Sequence, residues 1–217
     1  MDPAAPPAPR LQDLGLSPGR PLVLVDVDEV LGLFMAGFGR YLAEHGLEMR
    51  IDRFALFQTI FRPGEREHLP IAEGKQHFDT YFSTRCHEME PAPGAIAALN
   101  RLGKRAEILI LSNAPPEAEA LRVRWLRELG LQHPLVLNSG PKGPIAAALV
   151  AQTPHPTAFV DDLIPNLDSV ADHSPATATF QHVADERLRP FAPCSERHRR
   201  IDDWTELGAA LEAAIAG

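Results

Sequence analysis

Cysteine is nearly absent from this 217-residue chain, where only Cys86 and Cys194 occur. Two are too few for a disulfide framework or for a zinc site built on paired cysteines, and they suit a reducing compartment, so a cytoplasmic protein is expected. Long apolar runs are missing as well. Nowhere do about 18 apolar residues follow one another, so no membrane-spanning helix is expected. The N-terminus lacks the apolar run of a secretory signal and the arginine-rich character of a transit peptide. Positive charge is in deficit: 21 Lys and Arg face 29 Asp and Glu, a net charge of −8. Such a chain repels a phosphate backbone, so neither nucleic acid nor membrane is expected as a partner. There is no internal repeat, and Gly32, Gly37 and Gly39 lack the spacing of a dinucleotide-binding fingerprint. Nothing in the composition sets the oligomeric state.

Proline is abundant, with 21 residues, six of them in the first 21 positions. Residues 1–20 are therefore expected to form a flexible tail. After it, Leu22-Val23-Leu24-Val25 is a short, β-branched apolar run that stops at Asp26-Val27-Asp28, the pattern of a strand buried on both faces of a parallel sheet. The design recurs at Ile108–Leu111 before Ser112-Asn113, at Leu135–Leu137 before Asn138-Ser139, and at Ala158–Val160 before Asp161-Asp162. A fifth strand is expected at Ala176–Gln181. Helices are expected between them at Gly94–Leu102, Glu117–Leu129 and Pro144–Ala151, with a closing helix at Trp204–Ile215. Alternating strands and helices specify an α/β fold with a parallel, Rossmann-like sheet covered on both faces.

Residues 34–90 break this rhythm. They carry helical stretches at Phe38–His45 and Gly74–Phe82 but no buried-strand signal, and read as a small helical insertion after the first strand, leaving 21–33 and 91–217 as the α/β core. The insertion holds seven Lys and Arg against nine acids, so it exerts no strong electrostatic steering.

In open parallel sheets, ligands bind beyond the carboxyl ends of the strands. That places Asp26, Asp28, Ser112, Asp161 and Asp162 around one crevice. Asp26 and Asp28 are two apart and share a face while the strand stays extended. Carboxylates brought together repel, and the usual remedy is a hard, oxygen-seeking cation, above all Mg²⁺. Lys142, opening the third helix, adds one positive charge.

The order of these groups resembles the haloacid dehalogenase-like hydrolase superfamily. Val25-Asp26-Val27-Asp28-Glu29-Val30-Leu31 is similar to its first motif and Leu111-Ser112-Asn113-Ala114 to its second. Lys142 in Gly140-Pro141-Lys142-Gly143 matches the third, and Phe159-Val160-Asp161-Asp162 with Asn166-Leu167 the fourth. The insertion falls where that family places a small cap. The resemblance implies a Mg²⁺-dependent phosphohydrolase of a small organic phosphate ester, with Asp26 as nucleophile, Asp28 as general acid and base, and Ser112, Asn113 and Lys142 on the phosphoryl group. It implies Mg²⁺ held by Asp26, the main-chain carbonyl of Asp28 and Asp162, with Asp161 either a ligand through water or a guide for Asp162. An acid at Asp28 favours phosphoryl transfer over dehalogenation, since halide leaves without a proton. One residue departs from the pattern: Glu29 stands where the family most often has Gly, so either the turn differs or Glu29 faces the substrate.

Within the insertion, Arg53, Phe57, Arg62 and His68 are the candidates for specificity. The run Arg197-His198-Arg199-Arg200 is expected to be a solvated loop. Three other functions fit parts of the pattern. A phosphotransferase or mutase shares the aspartyl phosphate, and a silent phosphate-binding protein shares the fold. A phospho-accepting receiver module uses similar residues, but there the lysine follows the acidic residues, whereas Lys142 precedes Asp161.

Overall fold

The computed structural model describes residues 8–216. Along the chain run β1 (Leu22–Val25), α1 (Phe34–Glu44), β2 (Glu48–Met49), β3 (Ile60–Phe61), α2 (Ile71–Thr84), α3 (Ala95–Leu102), β4 (Glu107–Ser112) and α4 (Glu119–Glu128). There follow β5 (Leu135–Leu137), α5 (Gly143–Val150), β6 (Thr157–Asp161), α6 (Ile164–His173), β7 (Ala178–Gln181), β8 (Arg199–Arg200) and α7 (Trp204–Ile215). Six strands form one parallel sheet in the order β5-β4-β1-β6-β7-β8. Every residue of β1 is buried, as its unbroken apolar run requires.

Side chains alternate across a strand, and the alternation divides the core. Leu22, Leu24, Leu109, Leu111 and Phe159 face α5 and α6, where they meet Leu149, Leu167 and Val170. Val23, Val25, Ile108, Ile110 and Val160 face the other way, toward Leu99 of α3 and Trp204 and Leu211 of α7. The fold is thus a three-layer, Rossmann-like α/β sandwich with a largely helical segment inserted after the first strand. That segment also contains a two-stranded antiparallel ribbon, β2 with β3, whose two-residue strands are too short to leave a pattern in the sequence. Its helices are joined by aromatic contacts of Phe34 and Phe38 in α1 with Phe78, Tyr81 and Phe82 in α2.

Residues 1–7 of the expected flexible tail lie outside the described residues. The remainder is not a free tail. Leu11 and Leu16 are buried in the α5–α6 layer, and the Leu11 N–H donates to Gln152 Oε1 at 2.9 Å. Two apolar residues suffice to dock a proline-rich segment that composition alone marks as loose. The basic run 197–200 also differs from a solvated loop. Arg199-Arg200 forms the edge strand β8, His198 is buried, and Arg200 bonds Asp202 and the carbonyl of Arg189. Helix α6 carries only a faint signal, because Pro165 and several polar residues obscure its periodicity.

Close packing of α5 on α6 depends on Gly143. A Cβ there would lie 2.2 Å from the Ser169 carbonyl oxygen and 2.4 Å from its Oγ. Backbone cannot retreat as a flexible side chain does, so Gly143→Ala is expected to destabilise the protein by about 1–3 kcal/mol, measured as a lower urea midpoint at unchanged slope.

Candidate active site

The strand order reverses at β1, whose neighbours β4 and β6 leave it in opposite directions along the sequence. Ligand crevices of open parallel sheets form at such a switch point. Asp26 follows β1 directly, and its N–H donates to the Val160 carbonyl, so it continues the pairing with β6. Asp161 ends β6, Asp162 follows, and Ser112 ends β4. Carboxylate oxygens of Asp26, Asp161 and Asp162 lie within 4.8 Å of one another, and all three residues are buried.

One lysine stands among these three acids. Lys142, 1% exposed, donates from Nζ to Asp26 Oδ1 at 2.5 Å and to Asp161 Oδ2 at 2.7 Å. Burial works against the lysine charge, but Asp161 and Asp26 hold its pKa above the ordinary value. Asp161 is otherwise committed to structure, accepting from the Leu163 N–H at 2.9 Å and from Asn166 Nδ2. The Asp162 carboxylate has no protein donor among the described residues, while its main-chain carbonyl accepts from Gln181 Nε2. Burial, with Asp161 and Asp26 close by, raises its pKa well above the usual carboxylate range. Burial likewise pushes the Asp26 carboxyl up to about 7, against the pull of Lys142.

A carboxyl whose folded pKa exceeds its unfolded value binds more protons when folded. The stability contributed by Asp26 is therefore intact below about pH 4 and is lost as pH rises through about 7. Metal-free protein should accordingly lose stability relative to an Asp26→Asn variant between pH 4 and pH 8. Paired urea titrations in EDTA check this, and a constant difference across that range would contradict it.

Asp28 lines the same crevice but stands outside the carboxylate cluster. Its carboxylate pairs with Arg122 of α4, which is fully buried, lies over the Phe82 ring at 5.1 Å and donates to Met89 Sδ. Sequence patterns alone do not single out Arg122. The one available signal is a charged residue four positions after Ala118 and three before Trp125, on the apolar face of its helix.

Glu29 takes a left-handed φ of 59°, so the turn that glycine would favour is kept without glycine. Its carboxylate lines the cavity, yet Oε1 accepts from the Met35 N–H at 2.7 Å and Oε2 from the Asp185 N–H at 3.1 Å. Leu33, at the start of α1, has no capping side chain, and Glu29 supplies the acceptor that the first turn lacks. Burial pushes the Glu29 carboxyl up to about 8. Asn113 also lines the cavity, but its amide is held between the Gly140 carbonyl and Asn138 Nδ2. The Ser112 hydroxyl, at the end of β4, is buried without a partner among the described residues and does not itself line the cavity.

A cavity of about 280 Å³ opens above Asp26, Asp28, Lys142 and Asp162. Its roof comes from residues 34–90, through Phe34, Met35, Phe54, Ala55, Leu56, Phe78 and Phe82. The four residues singled out in the sequence for specificity do not line it. Arg53 pairs with Asp52 and Arg62 with Glu73 on the surface, His68 bonds the Leu69 carbonyl, and Phe57 packs against Phe78.

No protein-family model and no curated protein sequence matches the chain. Solved structures do resemble it. A magnesium-bound Bacillus subtilis protein provisionally named a HAD-hydrolase is 13% identical, with a TM-score of 0.60, over 89% of this chain and 99% of that one. A Lactobacillus delbrueckii protein provisionally named a phosphoglycolate phosphatase is 14% identical, with a TM-score of 0.60, over 90% and 99%. A haloacid dehalogenase-like hydrolase of Streptococcus pneumoniae is 14% identical, with a TM-score of 0.57, over 88% and 98%. The chain therefore has the haloacid dehalogenase-like fold. Among the described residues, no helix is long and apolar enough to cross a membrane.

Proposed function

We propose that this chain is a Mg²⁺-dependent phosphohydrolase of small organic phosphate esters, acting through an aspartyl phosphate on Asp26. The observation that carries this reading is a single buried lysine among three clustered buried carboxylates at the switch point of the sheet. The donor set suits a hard cation: the cluster offers only carboxylate oxygens, and Asp162 has no protein donor to satisfy it among the described residues. Mg²⁺ would be held by the carboxylates of Asp26 and Asp162 and the main-chain carbonyl of Asp28, with Asp161 orienting the group through Lys142 and Asn166. Bound there, it would neutralise charge on the phosphoryl oxygens.

The chain's own residues supply the rest. An Asp26 oxygen attacks phosphorus, the bond from phosphorus to the ester oxygen breaks, and Asp28 gives its proton to the leaving alkoxide. Asp28 then takes a proton from water as that water attacks the aspartyl phosphate, releasing inorganic phosphate and restoring the Asp26 carboxylate. Lys142 and the free Ser112 hydroxyl bind the phosphoryl oxygens, where negative charge is spread during transfer. Residues 34–90 act as a cap that keeps bulk water from the acyl phosphate. Phosphate release from a panel of small esters, with Mg²⁺ and with EDTA, tests the reading. Release is expected only with the metal, and no release from any ester under either condition would overturn it.

A further inference from the structure

We propose that the substrate's leaving group is apolar and uncharged, so that the phosphoryl group is the only ionic part of the ligand. This deepens the phosphohydrolase reading and rests on it for the chemistry at the floor. The cavity is divided by character. Its polar lining comes entirely from the α/β core, whereas every lining residue contributed by 34–90 is apolar, among them Phe34, Phe54, Leu56, Phe78 and Phe82. The core adds Leu163 and Leu188. Sparse as aromatics are in this chain, at 6%, four phenylalanines converge on one roof.

Apart from Asp162, whose carboxylate has no protein donor among the described residues and is assigned to the metal, the polar groups lining the cavity are already committed, Asp28 by its pairing with Arg122. Lys142 is the only cation lining the cavity among the described residues, and it is held by Asp26 and Asp161. Glu29 is taken up by two N–H groups, the Asn113 amide by the 138–140 loop, and Asn166 Nδ2 by Asp161. None of the seven Lys and Arg of residues 34–90 lines the cavity; Arg40, Arg50, Arg53, Arg62, Lys75 and Arg85 pair with acids on the surface. A second phosphate, a carboxylate or a row of hydroxyls on the leaving group would exchange water for hydrocarbon with nothing to receive it. An alkyl or aryl group gains by the same transfer. The modest volume restricts that group to a few carbons or one ring.

Binding of alkylphosphonates in Mg²⁺ buffer, by titration calorimetry, tests this without relying on turnover. Affinity is expected to rise roughly three- to fourfold per methylene from methyl- to hexylphosphonate, until the cavity is filled. A carboxylate at the far end of the same chain should weaken binding at least about tenfold relative to hexylphosphonate. Phe78→Ala should flatten the dependence on chain length, and Leu56→Lys should restore binding of the carboxylated analogue. Affinities that ignore chain length, a preference for the carboxylated ligand, or no binding at any length would each overturn the proposal. Turnover of the matching alkyl phosphates separates it from the reading beneath it. Tail-dependent binding without turnover retains the apolar site and sinks the hydrolase, whereas hydrolysis of short polar esters with no tail preference does the reverse.

Discussion

Asp26→Asn is expected to lower the rate of ester hydrolysis by on the order of 10⁴-fold or more, with a folded protein at least as stable as the wild type. The two side chains are nearly isosteric, so the cavity and its roof should persist. What changes is the atom that attacks: an amide oxygen is a poor nucleophile and cannot yield a labile acyl phosphate. The stability half follows from the environment. Asp26 is buried with its pKa raised to about 7, and shares one lysine with Asp161. Removing its charge relieves a desolvated anion while Lys142 keeps Asp161 as partner. Single-turnover phosphate release and urea unfolding on the same preparations separate the two effects. Undiminished turnover by a folded Asp26→Asn protein would contradict the nucleophile assignment.

Lys142→Met is expected to cost about 3–5 kcal/mol of stability at pH 8 in EDTA, because it leaves buried carboxylates with no cation. Methionine fills a similar volume, so the loss is electrostatic rather than a cavity effect. Two responses identify that cause. The deficit should shrink as pH falls toward 5, since Asp26 and Asp162, both raised above the ordinary carboxylate range, take up protons. It should also shrink when Mg²⁺ is added, since a bound divalent cation stabilises the folded state by mass action. Unfolding at several pH values, with and without the metal, is the measurement. A deficit unaffected by either change would mean that Lys142 serves packing instead.

The residues that end strands are legible in the sequence, and for a clear reason. An apolar run buried on both faces must stop where the chain reaches the crevice, so Val25, Leu111 and Val160 mark the edge and Asp26, Ser112 and Asp161 stand beyond it. Sequence order also places Lys142, which opens α5. Partners chosen by packing are not legible. Arg122 looks like any helical arginine until its apolar neighbours bury it, and Leu11 and Leu16 are two isolated residues in a segment whose prolines dominate its pattern. Among residues 34–90, polar and charged side chains carry recognisable chemistry and so draw the expectation of specificity. The structure lines the cavity there with apolar side chains instead, four of them phenylalanines, and an apolar residue facing a cavity has the same sequence signature as one in the core. Glu29 shows a related limit: its carboxylate caps α1 and holds the Asp185 N–H, contacts formed only after the turn has folded.

Acid quenching of the protein during turnover of an alkyl phosphate with Mg²⁺, followed by peptide mass analysis, tests the central claim most directly. The peptide containing Asp26 should carry the added mass of one phosphoryl group on that residue, and the same peptide from Asp26→Asn should carry none. Turnover at full rate with no phosphorylated Asp26 at any quench time, or with the group on another residue, would contradict it.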